Sequence, residues 1–97
     1  MNVLYLITCS PFQRTEPYLD FELAEKGDAI LFLQCGVNIL KNPGDTLKNL
    51  VEKGVKIYAG EECLRARAIK TDDKNFEIVD YDGIADLILK YKQTVVC

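Results

Sequence analysis

Apolar residues fall along this chain in short blocks of two kinds. Residues 2–8 (NVLYLIT), 29–34 (AILFLQ), 55–59 (VKIYA) and 76–80 (FEIVD) are runs of aliphatic, β-branched and aromatic residues without helical period. Runs of this length, bounded by turn formers, predict buried strands. Between them the apolar positions recur at helical spacing. Tyr18, Leu19, Leu23 and Ala24 share a face over 16–26, opened by Ser10-Pro11 and stopped by Gly27. Val37–Leu40 start a short helix that NPGD at 42–45 interrupts, and Leu47, Leu50 and Val51 mark another that ends at Lys53-Gly54. Glu61–Ile69 carries acids in its first turn and Arg65, Arg67 and Lys70 later, as the helix dipole favours. A last helix is predicted over 83–91, with Asp82 as its cap and Ile84, Leu87, Ile88 and Tyr91 on one face. QTVVC at 93–97 predicts a short final strand or a docked tail.

The order is strand then helix, four times over, with no hairpin turn between strands. That order calls for right-handed crossovers and a parallel sheet covered on both faces. The expected fold class is α/β: a three-layer α/β/α domain with a parallel sheet of four to five strands, in a flavodoxin-like arrangement. The 97 residues suffice for one domain, taken as 1–97, with no linker or internal repeat. Ligands in such sheets gather at the carboxyl ends of the strands. Cys9, Cys35 and Cys63 all fall at or just beyond a predicted strand end.

Charge and composition narrow the chemistry. A net charge of −3, with Lys and Arg scattered and RARAIK at 65–70 the densest basic cluster, argues against a free-standing nucleic-acid binder. RNA would be held at most indirectly, through a partner. No apolar run approaches the length of a membrane span, and the opening MNVLYLITCSPFQR has no basic lead-in, so it is read as a strand and the protein as cytoplasmic, without a membrane role. The chain has no histidine, which removes Ser-His and Cys-His catalysis and imidazole zinc sites. The four cysteines lie 26, 28 and 34 residues apart with no CxxC pair. They are read as reduced thiols, with neither metal nor cofactor expected.

The loop TCSPFQRTE after the first strand invites two enzyme readings, and both fit poorly. A cysteine-phosphatase loop needs one residue more than the four between Cys9 and Arg14, and Pro11 removes a backbone donor. A flavodoxin-type phosphate loop could use Thr8, Ser10 and Thr15, but the glycines that bring N–H groups onto phosphate are missing. Cys35 precedes Gly36 at a strand end, where a thiol either meets a helix N-terminus or fills apolar space. Cys63 sits near the first turn of its helix, where Glu61 and Glu62 oppose a thiolate and Arg65 and Arg67 favour one. Cys97, the last residue, is read as incidental, with a carrier role as its alternative. Tyr81 and Tyr91 are read as packing residues.

Taken together, Ser10-Pro11-Phe12, Lys26-Gly27, Gln34-Cys35-Gly36-Val37, Ile57-Tyr58-Ala59, Ala66-Arg67-Ala68, Asp80-Tyr81 and Gln93 resemble, in order and spacing, the DsrH/TusB-like family of the DsrE superfamily. Two positions depart from it: the family has an acid where Cys35 stands and a glycine where Ala68 stands.

The resemblance implies a DsrE-like fold and a non-catalytic subunit of a cytoplasmic sulfurtransferase complex, relaying sulfur to tRNA wobble-uridine 2-thiolation or to intracellular sulfur oxidation. Expected partners are DsrE/DsrF (TusD/TusC)-like subunits or further copies of the same chain. A related subunit carries persulfide on a cysteine after its third strand. Cys63 lies near that region but about three residues out of register. The alternative is a persulfide carrier using Cys63 or Cys35. With an acid in the family's place, Cys35 itself is expected to be structural.

Overall fold

The computed structural model describes residues 3–8, 22–41, 45–69 and 75–96. Strands β1 (Val3–Ile7), β2 (Ala29–Phe32), β3 (Lys56–Gly60), β4 (Glu77–Val79) and β5 (Gln93–Val96) form one parallel sheet in the order β4-β3-β2-β1-β5. All four predicted strands are present, and residues 93–96 form the fifth. Strand β2, in the middle, is buried along its whole length, which is why AILF shows no alternation. The helices are a 3-10 helix (Gln34–Lys41), α1 (Thr46–Glu52), α2 (Glu61–Ala66) and α3 (Tyr81–Lys90). Of the helix expected over 16–26, residues 22 and 23 are helical, and 9–21 lie outside the described residues. Among the described residues no helix is long and apolar enough to cross a membrane.

Two core clusters define the layers. On one face Tyr5, Ile7, Ile30, Phe32 and Ile57 pack with Val37 and Leu40 of the 3-10 helix, Leu47 and Leu50 of α1, and Leu64 of α2. On the other face Leu4, Ala29 and Leu31 lie under Leu87 and Tyr91 of α3, with Leu6, Leu33 and Tyr58 half-buried at the border. The chain therefore steps from β1 to β4 one strand at a time, with the 3-10 helix, α1 and α2 all on the first face. It then crosses to the second face through α3 and lands beside β1. The connections leaving β3 and β4 diverge to opposite sides of the sheet. That divergence opens a crevice beyond their carboxyl ends, the switch point at which open α/β sheets bind ligands.

Helices α1 and α2 end in the same way. After α1, Gly54 N–H donates to the Val51 carbonyl at 3.0 Å and Val55 N–H to that of Leu50 at 3.1 Å. After α2, Ala68 N–H donates to Arg65 at 3.1 Å and Ile69 N–H to Leu64 at 3.0 Å. This paired closure requires a left-handed residue just past the helix. Gly54 supplies it at φ 88° and Ala68 at φ 52°. Hence α2 stops at Ala66 instead of running to Ile69, as the order of acidic and basic residues had suggested.

The last helix differs in its start. Asp80, not Asp82, is its N-cap: the extended backbone of Asp80 lets its Oδ1 accept the Gly83 N–H at 2.9 Å, so the helix begins at Tyr81.

Candidate functional site

The crevice between the ends of β3 and β4 holds a cavity of about 420 Å³. Its lining comes from the end of β2 (Leu33, Gln34), from Gly60, from Glu61, Glu62, Cys63, Ala66 and Arg67 on or beside α2, and from Val79, Asp80, Tyr81 and Ile84. The floor is mostly apolar and the rim is charged. Gly60 leaves the space open: a Cβ there would lie 2.8 Å from Leu33 Cδ2, 3.5 Å from Cys63 Sγ and 3.6 Å from Ile84 Cδ1. Cys63 Sγ, Leu33 and Ile84 thus converge above one glycine at the end of β3.

Cys63 is a free, half-buried thiol on the third residue of α2. Its two acidic neighbours are turned toward one partner. Arg65 reaches Glu61 through Nη2 and Glu62 through Nη1, the latter at 3.3 Å, on the exposed side of the helix. Arg65 is thereby committed to the acids, while Arg67, half-buried, lines the cavity. Among the described residues, no hydrogen-bond or ion-pair partner reaches the Cys63 sulfur. The site can accept an apolar or soft group beside a thiol, and the two carboxylates next to that thiol are held by Arg65.

The motif Gln34-Cys35-Gly36-Val37 is built for geometry. Leu33 N–H donates to the Ile7 carbonyl at 3.0 Å, extending the β1–β2 pairing by one residue. The chain then turns at Gln34, whose φ of 49° is rare for a side-chain-bearing residue. Gly36 follows against the backbone of β1, and Val37 is fully buried. Cys35 stands one residue past Gln34, in the first turn of the 3-10 helix. Its side chain lies outside the described set, as do Cys9, Cys97 and the loop that suggested phosphate binding. Among the described residues no group of three or more His, Cys, Asp or Glu is placed to hold a metal ion.

Sequence reasoning singled out Cys63 as a candidate and missed the residues that surround it. Leu33, Gln34, Val79 and Ile84 join the site only because β4 lies beside β3 and the connection after it leaves on the other face. The two tyrosines at the ends of α3 also separate. Tyr91 is buried in the second core, as expected, whereas Tyr81 is 72% exposed and stands at the cavity rim.

A separate polar cluster lies at the opposite, amino end of the strands. Asp28 is 4% exposed, and its carboxylate accepts the Val3 N–H and the Glu25 N–H, each at 2.9 Å. Tyr91, packed nearby, has its phenol pushed above the ordinary value by burial, then by Tyr58 and Asp28; Tyr58 is raised by burial and by Glu77.

Comparison with known proteins places this geometry. The family model described as DsrH like protein matches residues 9–94. Protein TusB of Buchnera aphidicola subsp. Acyrthosiphon pisum (strain 5A) is 32% identical, covering 94% of this chain and 96% of its own length. Protein TusB of Photorhabdus laumondii is also 32% identical, with the same coverage. Among solved structures, the ychN protein from E. coli superposes with a TM-score of 0.79 over 100% of both chains at 15% identity. Protein Tm0979 from Thermotoga maritima gives 0.66 over 91% of this chain and 92% of its own at 23% identity. These two likenesses show the fold.

Proposed function

This chain belongs to the DsrH-like family, whose TusB relatives mark it as a family of tRNA sulfur-relay subunits, and from that premise we propose that it is a non-catalytic assembly subunit of a cytoplasmic sulfurtransferase complex. It acts as one domain that packs against DsrE/DsrF-like (TusD/TusC-like) subunits and touches RNA only through them. The observation that carries the reading is the length of the match: the TusB relatives align over 94% of this chain. The test is co-purification with the DsrE- and DsrF-like proteins encoded in the same genome. A stable complex that keeps its sulfur-transfer rate when Cys63 is replaced by Ser supports the reading, and no complex with either protein refutes it.

A second reading is favoured by one specific observation, the placement of Cys63 Sγ over an apolar cavity at the switch point. In this reading Cys63 carries sulfur. Its thiolate attacks the outer sulfur of a donor persulfide, forming Cys63–S–SH and releasing the donor thiolate. An acceptor thiolate then attacks that outer sulfur and releases the Cys63 thiolate, so no external oxidant is consumed. Intact-protein mass spectrometry after exposure to a persulfide donor decides between the two. One added sulfur mapped to Cys63, and lost in Cys63→Ser, makes the chain a carrier; an adduct on Cys35 alone moves that role to the 3-10 helix.

A further inference from the structure

We propose that the cavity at the carboxyl ends of β3 and β4 binds a small zwitterionic α-amino acid of the cysteine type, whose sulfur exchanges with Cys63. Such a site rests on the reading in which Cys63 carries sulfur, and it names the donor as a free amino-acid persulfide instead of a protein.

Cys63, Ala66 and Arg67 line the cavity from α2 and the residue just past it. Positions three and four apart share a helix face, with Cβ atoms about 5–6 Å apart. This wall therefore offers a thiol, a small residue that leaves room beside it, and a guanidinium one turn further on. A cysteine-type molecule carries its sulfur and its carboxylate at a similarly short separation. When its sulfur meets Cys63 Sγ, its carboxylate comes within reach of the Arg67 fork, whose planar donors suit it. The facing wall supplies the opposite charge. Asp80 lines the cavity from the start of α3, and while its Oδ1 accepts the Gly83 N–H at 2.9 Å, the carboxylate keeps acceptor capacity for an ammonium group. Glu61 and Glu62 are held by Arg65. One cation and one anion on facing walls, with an aliphatic floor between them, match a zwitterion better than a ligand of single sign.

Size and chemistry agree with this occupant. The volume of about 420 Å³ falls in the range of small-ligand sites and admits a persulfide or disulfide of this type whole. Cys63 is half-buried, with its Sγ beside Leu33 and Ile84 around Gly60, so the donor sulfur has to enter the cavity to meet it. The Cys63 thiol loses its proton to solvent and the thiolate attacks. With a persulfide R–S–SH it takes the outer sulfur, giving Cys63–S–SH and R–S⁻. With a symmetric disulfide R–S–S–R it gives the mixed disulfide Cys63–S–S–R and R–S⁻. In each case one S–S bond forms as another breaks, and no outside oxidant is needed.

Rates of mixed-disulfide formation on Cys63, followed by peptide mapping of the full chain, test the site. The probes are L-cystine, cystamine, dithiodiglycolate and hydroxyethyl disulfide, which are zwitterionic, cationic, anionic and neutral. Each rate is divided by that of free N-acetylcysteine with the same probe. L-cystine is expected to react about tenfold faster than the neutral probe. Arg67→Gln should slow L-cystine and dithiodiglycolate about tenfold, but not cystamine. Asp80→Asn, which keeps a capping side chain, should slow L-cystine and cystamine, but not dithiodiglycolate. Inorganic tetrasulfide, which has no carboxylate or ammonium group, gauges sulfur loading by itself. Loading of Cys63 from tetrasulfide without any preference for L-cystine overturns the amino-acid site and leaves the carrier reading standing. Equal slowing of all probes by both variants overturns the site as well, since a structural loss does not read charge. A Cys63 that neither loads nor exchanges ends both.

Discussion

Gly36 lies directly against the carbonyl oxygen of Ile7: a Cβ added to Gly36 would stand 1.8 Å from it. The same oxygen accepts the Leu33 N–H, so it cannot turn aside without breaking the β1–β2 pairing. Gly36→Ala is therefore expected to cost about 3 kcal/mol, at the upper end for overpacking, because backbone must move and not a side chain. Chemical denaturation would show this as a lowered midpoint. A variant within about 0.5 kcal/mol of wild type would mean that the contact relaxes freely.

The matched endings of α1 and α2 supply a control experiment. Ala68 holds a left-handed conformation that costs a side-chain-bearing residue about 1 kcal/mol, and Gly54 holds the same one without that cost. Ala68→Gly should raise stability by about 0.5–1 kcal/mol. Gly54→Ala should lower it by more than that, since its Cβ would also meet Lys26 Cγ at 2.8 Å. Opposite signs from the two substitutions, measured by thermal unfolding, are the expected result; equal signs would contradict the helix-end assignment.

Asp28 clamps the start of β1 to the turn before β2 through two backbone donors. Asn at this position presents one acceptor and one donor, so one N–H loses its partner. Asp28→Asn is expected to destabilise by about 2 kcal/mol. Amide exchange at Val3 and Glu25 should accelerate more than exchange in β3. Uniform acceleration through the sheet would show that the clamp is not local.

Alkaline titration probes the second face. Tyr58 and Tyr91 keep their phenolic protons to higher pH in the fold than in the unfolded chain, whose value is near 10. Below that pH both states are protonated and the pair adds no pH dependence. Above it the unfolded chain ionises first, so stability falls as pH rises toward the folded values. Tyr58→Phe and Tyr91→Phe should each flatten that alkaline decline. An unchanged slope in both would remove the tyrosines as its cause.

Strands were legible because apolar runs in a covered parallel sheet need no alternation, as Ala29–Phe32 illustrates. Cys63 was legible too, since a strand end followed by an acidic first turn fixes where a helix begins. The capping residue of α3 was not. Asp80 and Asp82 both stand at plausible distances before the apolar positions, and the choice rests on backbone: Gly83 approaches so closely that a Cβ there would lie 3.1 Å from Val79 Cβ. The cavity was illegible for a different reason. It needs β4 next to β3 and α3 on the far face, and no local pattern says on which side of a sheet a connection returns.

Strand β1 has neighbours on both sides, and they become available at very different times. Val3 pairs with Gln93 about 90 positions downstream, whereas β2 follows β1 after one crossover. During synthesis β1 therefore waits with one row of hydrogen-bonding groups unmatched until β5 has emerged. Closing so long a loop is entropically costly and slow relative to local contacts. A nascent chain stalled before β5 would present β1, an apolar strand meant for the interior, as its sheet edge. Strand β5 ends that exposure by becoming the edge itself, so its arrival completes the burial of β1 and not the closure of the sheet.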